Sequence, residues 1–146
     1  MSGVMNETYQ EIASRLQEEH AHLKQWLENV RVALADTSGE VNALRVLDEF
    51  LEEVEEHFRR EEEDEGFCDA VFVVAPRLAD KASTLMRQHA ALLGALLDLQ
   101  KMVREGDDQE IALKRFDTFA AKWLHHESEE NKILQDAYNE DVGTAD

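Results

Sequence analysis

Moved along itself by 69 residues, the chain falls on its own pattern. The shift carries Leu16 onto Leu85, Leu23 onto Leu92, Leu27 onto Leu96, Phe50 onto Phe119 and Val54 onto Trp123. It also carries His20 onto His89, His57 onto His126 and Glu61 onto Glu130. Within each half the apolar positions recur at steps of three and four, the period of a helix with one buried face. Ile12, Leu16, Leu23, Leu27 and Val30 form one stripe, and Leu47, Phe50 and Val54 begin a second. Leu85, Leu92, Leu96 and Leu99 form a third, and Phe116, Phe119, Trp123, Ile133 and Ala137 a fourth. A chain built this way folds as two helical hairpins related by a pseudo-twofold axis.

The breaks between the stripes are legible. Asp36-Thr37-Ser38-Gly39-Glu40 ends the first helix, and Thr37 with Glu40 offers a capping box to the second. Gly66 interrupts the second helix, and Pro76 suits the first turn of the third or a short kinked approach to it. Gly106 can terminate the third helix, and Asp107 with Glu110 can cap the fourth. Helices are expected over 6–36, 40–65, 77–105 and 108–139. Between 66 and 76, Val71-Phe72-Val73-Val74 reads as a short helix or an apolar plug, and Val142–Asp146 as a loose tail. The two clear turns are short, so neighbours run antiparallel: an all-α, up-down-up-down four-helix bundle, one domain over 1–146 with its core at about 6–140.

Each stripe carries a histidine where it should be apolar, and two carry a glutamate four residues later: His57 with Glu61, His126 with Glu130. Counted from one end of the bundle at about 1.5 Å per residue, all four histidines lie roughly 24–27 Å down, in one layer. No lysine or arginine shares those stripes at that depth. Burying two carboxylates without a partner costs several kcal/mol each. A histidine and a glutamate four apart sit on one helix face and can reach one cation. Four imidazoles and two carboxylates in one layer therefore make a site for two metal ions, both glutamates bridging. A lone histidine on an apolar face is usually a satisfied core group, but six residues matched in face, depth and repeat are not explained that way. His22 and His125 fall on wet faces and read as surface. Imidazole with carboxylate suits iron, manganese or zinc alike.

The order His20, His57-Phe58-Arg59-Arg60-Glu61, His89, His126-Glu127-Ser128-Glu129-Glu130 resembles the hemerythrin-like (HHE cation-binding) family over about residues 10–143. The resemblance implies a centre of two non-heme irons, open to an oxo or hydroxo bridge. His20, His57, His89 and His126 are then terminal ligands, and Glu61 and Glu130 bridges. Where the oxygen-carrying members have a further histidine, four residues after the third, this chain has Leu93. Glu127 is a candidate to complete the site, but its helix angle points it away, and its repeat partner is Phe58. The ferritin-like pattern, Glu three residues before His, is absent: those positions hold Gln17, Val54, Met86 and Trp123.

Function follows as an expectation: binding or sensing of dioxygen, nitric oxide or a related small oxidant. The alternatives are an enzyme acting on hydrogen peroxide, or a storage or structural metal bundle. Thirty-three acidic against 15 basic residues leave a net charge of −18, which repels nucleic acid and anionic membrane. A free-standing sensor of this kind needs a protein partner. The single cysteine forbids an internal disulfide, and no signal peptide is legible, so a reducing, cytoplasmic setting is expected. Cys68, flanked by Glu65 and Asp69, should be a poor nucleophile. Glu62 or Glu63 could assist metal uptake, and Trp123 could line the oxidant pocket.

Overall fold

Periodicity of the kind described above leaves little choice of architecture, and the computed structural model contains helices and no strand among its described residues, 8–38, 40–63 and 66–144. The helices are α1 (Tyr9–Ala35), α2 (Glu40–Glu62), α3 (Phe67–Val74), α4 (Ala79–Arg87), α5 (His89–Arg104) and α6 (Gln109–Thr144), with a 3-10 turn at Pro76–Leu78 before α4. Four arms form the bundle: α1, α2, the pair α4–α5, and α6. α1 packs on α2 and α6, and α5 packs on both α2 and α6, which closes the ring. No helix is long and apolar enough to cross a membrane.

The helix ends show where local chemistry won. α1 begins at Tyr9 rather than at residue 6, because Thr8 and Glu11 form a reciprocal capping box. Gly106 has φ +72°, and its N–H bonds the Val103 carbonyl while that of Asp107 bonds Met102. This is a Schellman stop, and glycine takes that backbone conformation without a Cβ penalty. Asp107 is thereby committed to ending α5, so the cap of α6 falls to Asp108, whose carboxylate accepts from the N–H groups of Glu110 and Ile111. The expected Thr37–Glu40 capping box lies outside the described residues. α6 runs on to Thr144, past the expected end at 139, so the expected loose tail is helical over 142–144.

The third arm differs from the single helix expected over 77–105. It breaks at Gln88, where the backbone N–H turns back to the Leu85 carbonyl and the helix tightens by a step. The segment 66–76 resolves into α3, which buries Phe67, Ala70 and Val71 and leaves Phe72 and Val73 exposed.

The core is two dry clusters. One, around Leu23, Phe50, Val54, Leu96, Phe116 and Trp123, fills the end of the bundle nearer the α1–α2 and α5–α6 turns. The other, around Ile12, Leu16, Phe67, Val71, Leu85 and Leu134, is closed by α3 and α4. Phe50 and Leu96 are fully buried, worth about 1.5–3 kcal/mol per side chain. A polar layer separates the two clusters.

Candidate metal centre

The polar layer is where each stripe breaks its apolar rule. His20 on α1 sits between Leu16 of one cluster and Leu23 of the other. His57 and Glu61 occupy the last two turns of α2, His89 opens α5, and His126 and Glu130 lie midway along α6. All six side chains are buried, Glu61 and Glu130 completely.

They converge as two overlapping groups of four, His20, His57, Glu61 and Glu130, and His89, His126, Glu61 and Glu130, with the candidate ligand atoms of each group within 4.8 Å of one another. Both carboxylates belong to both groups, and each divides its oxygens between them. Glu61 turns Oε2 toward the Nε2 atoms of His20 (3.3 Å) and His57 (3.2 Å), and Oε1 toward that of His89 (3.1 Å). Glu130 turns Oε1 toward His20 (3.0 Å) and Oε2 toward His126 (2.9 Å).

Of these approaches, that of His20 Nε2 to Glu61 Oε2 has hydrogen-bond geometry, but most of the facing atoms stay unsatisfied. Glu61 Oε1, both oxygens of Glu130, and the Nε2 atoms of His89 and His126 are buried without a hydrogen-bond partner. Buried polar atoms are nearly always satisfied. A cluster of orphaned nitrogen and oxygen atoms aimed at one another fits a divalent cation, which would satisfy them together, and the donor set of imidazole and carboxylate suits iron, manganese or zinc.

The other ring nitrogen of every histidine is accounted for. His57 Nδ1–H donates to Glu19 (2.8 Å), His126 Nδ1–H to the Gln88 side-chain oxygen (2.7 Å), and His20 Nδ1–H to Asn131 (3.1 Å). His89 Nδ1–H donates to Glu62. Such bonds fix the tautomer and the ring plane and present Nε2 to the centre. The sequence reading gave Glu19, Gln88 and Asn131 no part in holding the rings, and gave Glu62 only a part in metal uptake. Yet the signal was present: the shift of 69 carries Glu19 onto Gln88 and Glu62 onto Asn131. The pseudo-twofold holds for the partners too, since Glu19–His57 maps onto Gln88–His126.

Where no cation is bound, the carboxylates favour protons on three of the rings, those of His20, His57 and His89. Burial pulls His20 down, but Glu130 and Glu61 outweigh it and push it up to about 11. The same balance, with Glu19 and Glu61 for His57 and with Glu130, Glu61 and Glu62 for His89, pushes each up to about 9. For Glu61, burial pushes upward, but the three facing histidines hold it well below the carboxylate range.

The surroundings are closed. Phe58 stacks on the His89 ring, centroids 3.7 Å apart and planes 5° apart, and Trp123 lies against Phe58 and His57. An open groove of about 370 Å³ between α4 and α6 has Gln88 in its wall, together with the exposed His125 and Glu129. His22 is also exposed, bonded to Glu53. Neither control histidine reaches the centre. Burial, then Asp69 and the centre's own carboxylates, push the Cys68 thiol up to about 11, in keeping with a poor nucleophile. Glu63, the other residue considered for metal uptake, pairs instead with Arg59.

Glu127 is turned away from the ligands, as its helix angle suggests, and is absent from both groups of four, yet it is buried, 6% exposed. It lies some 80° round α6 from the mean direction of His126 and Glu130, and at that angle it feels the charges of His20 on α1 and His57 on α2. A helical wheel gives the angle but not the neighbour that covers it.

Compared with known protein families, the chain matches the model of the hemerythrin HHE cation-binding domain over residues 11–138. Comparisons with curated proteins and with solved structures give no match.

Proposed function

The chain belongs to the hemerythrin HHE cation-binding family, and from that premise we propose that it is a non-heme di-iron protein that binds dioxygen, nitric oxide or a related small oxidant. The observation that carries the reading is the division of each carboxylate between the two groups, one oxygen to each. That is the arrangement two adjacent cations require, and one cation does not. Iron supplies the redox chemistry and the affinity for diatomic ligands when bound.

The chain's own work is to hold, aim and exclude. His20 and His57 serve one ion, His89 and His126 the other, and Glu61 and Glu130 both. Glu19, Gln88, Asn131 and Glu62 lock the rings at Nδ1, so the Nε2 lone pairs stay aimed. The two dry clusters above and below keep water out, and burial of every ligand admits only small molecules. The surface charge of −18 favours the approach of cations over anions.

A second reading, turnover of hydrogen peroxide, is favoured by one observation. Each group offers four residues, fewer than the six donors an octahedral ion would take, so each ion would keep room for a peroxide oxygen.

One set of measurements tests these readings. The chain is purified, its metal counted by elemental analysis, and its visible spectrum recorded reduced, in air, with nitric oxide and with peroxide. The expectation is two irons per chain and a reversible spectral change with oxygen or nitric oxide. Many turnovers of peroxide per chain without bleaching would favour the enzyme instead. A chain that fills with zinc and ignores all three ligands would overturn both. His57→Ala and Glu130→Ala should lose metal, while His22→Ala and His125→Ala retain it. Full metal in both core variants would refute the ligand assignment.

A further inference from the structure

The pseudo-twofold that relates the two groups of four is broken at one buried position. Phe58 follows His57, and Glu127 follows His126. On the side of His89, Phe58 lays its ring flat on the imidazole and fills the space with hydrocarbon. Under the shift of 69 that relates His20 to His89, the place of Phe58 falls to Glu127, a carboxyl group. Glu127 is 94% buried (6% exposed), and its Oε2 has no hydrogen-bond partner. The charges acting on it are those of His20 and His57, which favour its ionised form, and of Glu130 and Glu61, which oppose it.

A buried carboxyl oxygen left without a hydrogen-bond partner is expensive to keep. The nearby rings cannot pair with it, because their Nδ1 atoms are bonded to Asn131 and Glu19 and their Nε2 atoms face the bridging carboxylates. What remains is the cation those Nε2 atoms would hold. Glu127 is not among the atoms of either group of four, so reaching the ion takes a rotation about its own side-chain bonds, three of which are free to turn.

We propose that Glu127 is a terminal carboxylate ligand of the ion held by His20 and His57. The two positions are then unequal: five protein residues serve one, four the other, and the more open position lies with His89 and His126. This rests on the reading of the centre as a metal pair. It gives the wider opening for a small ligand to the side lined by Phe58.

The test is titration with Co²⁺ alone, followed by its visible bands and by competition with a chelator. Wild-type chain is compared with Glu127→Gln and with Glu127→Phe, which restores the internal symmetry. Wild type should bind two Co²⁺ in steps of different affinity. Glu127→Gln should weaken the tighter step at least tenfold and leave the other within threefold, and Glu127→Phe should bring the two steps together. Unchanged steps and bands in Glu127→Gln, with two Co²⁺ still bound, would overturn the proposal and leave the metal-pair reading standing. No uptake by wild type would overturn both. Melting of the metal-free chains separates a ligand from a structural acid: Glu127→Gln should melt no lower than wild type, whereas a lower melting point with Co²⁺ affinity unchanged would mark a structural role and refute the proposal.

Discussion

At the scale of the residue, the centre is built as much from what lies behind the histidines as from the histidines. Two of the oxygens behind the rings are carboxylates, Glu19 on His57 and Glu62 on His89, and two are amides, Asn131 on His20 and Gln88 on His126. Each group of four thus has one ring backed by a charge and one by a dipole. The charged backing makes its imidazole the stronger donor. Glu19 is itself held by Arg60 at 3.1 Å, so its orientation is fixed from outside. We predict that Glu19→Ala lowers metal affinity by about 10–100-fold, while the helical circular dichroism stays as in wild type. Competition with a chromophoric chelator reads this directly, and an unchanged affinity would mean that the bond to His57 orients nothing. The six candidate ligands were legible as residues because a polar side chain on an apolar stripe stands out. Their partners were not, because Glu19, Glu62, Gln88 and Asn131 look like ordinary surface polar residues until a neighbouring helix supplies the ring.

At the scale of the element, the short segment after α2 matters most. Gly66 caps α3 and sits hard against the end of α2, where a Cβ would come within 2.5 Å of the carbonyl oxygens of Arg60 and Glu61. Those are backbone atoms and cannot swing aside. Gly66→Ala should therefore push the last turn of α2, and with it Glu61, out of place. The expected loss is about 1–3 kcal/mol of stability, accompanied by loss of metal, checked by chemical denaturation and elemental analysis. A variant with wild-type stability and full metal would show that this close approach is not what sets Glu61. The periodicity of α1, α2 and α6 was plain in the sequence. The break at Gln88 was not, because neither glycine nor proline marks it. Nor was the choice between helix and plug for 66–76, where an apolar run too short to show a period buried one face against the second cluster and left Phe72 outside.

At the scale of the whole molecule, protons and metal compete for one buried layer. His20, His57 and His89 are held above the ordinary 6.5 in the metal-free chain, up to about 11, 9 and 9. A group raised on folding contributes stability that is complete below its unfolded pKa and is lost as pH rises through its folded pKa. The metal-free chain should therefore lose stability between about pH 6.5 and pH 9–11. Metal binding has to displace the same protons, so affinity should rise across that window. Thermal melts at pH 6.5 and pH 9, with and without metal, should show the two forms diverging as pH rises. Parallel behaviour would mean that the metal does not occupy this layer.

What the sequence by itself determined is the angular pattern of each helix, the depth of the polar layer, the repeat, and through them the bundle and the six residues at its centre. A helix's period fixes where every side chain points about its own axis, and that information is local. The tertiary structure decided what meets each direction. It buried Glu127, which the wheel turns away from the ligands, because other helices cover that flank of α6. It turned four unremarkable polar residues into the backing of the four rings, and it folded 66–76 over the second cluster. Those outcomes depend on which helix lies alongside and at what rotation, and no single stripe carries that.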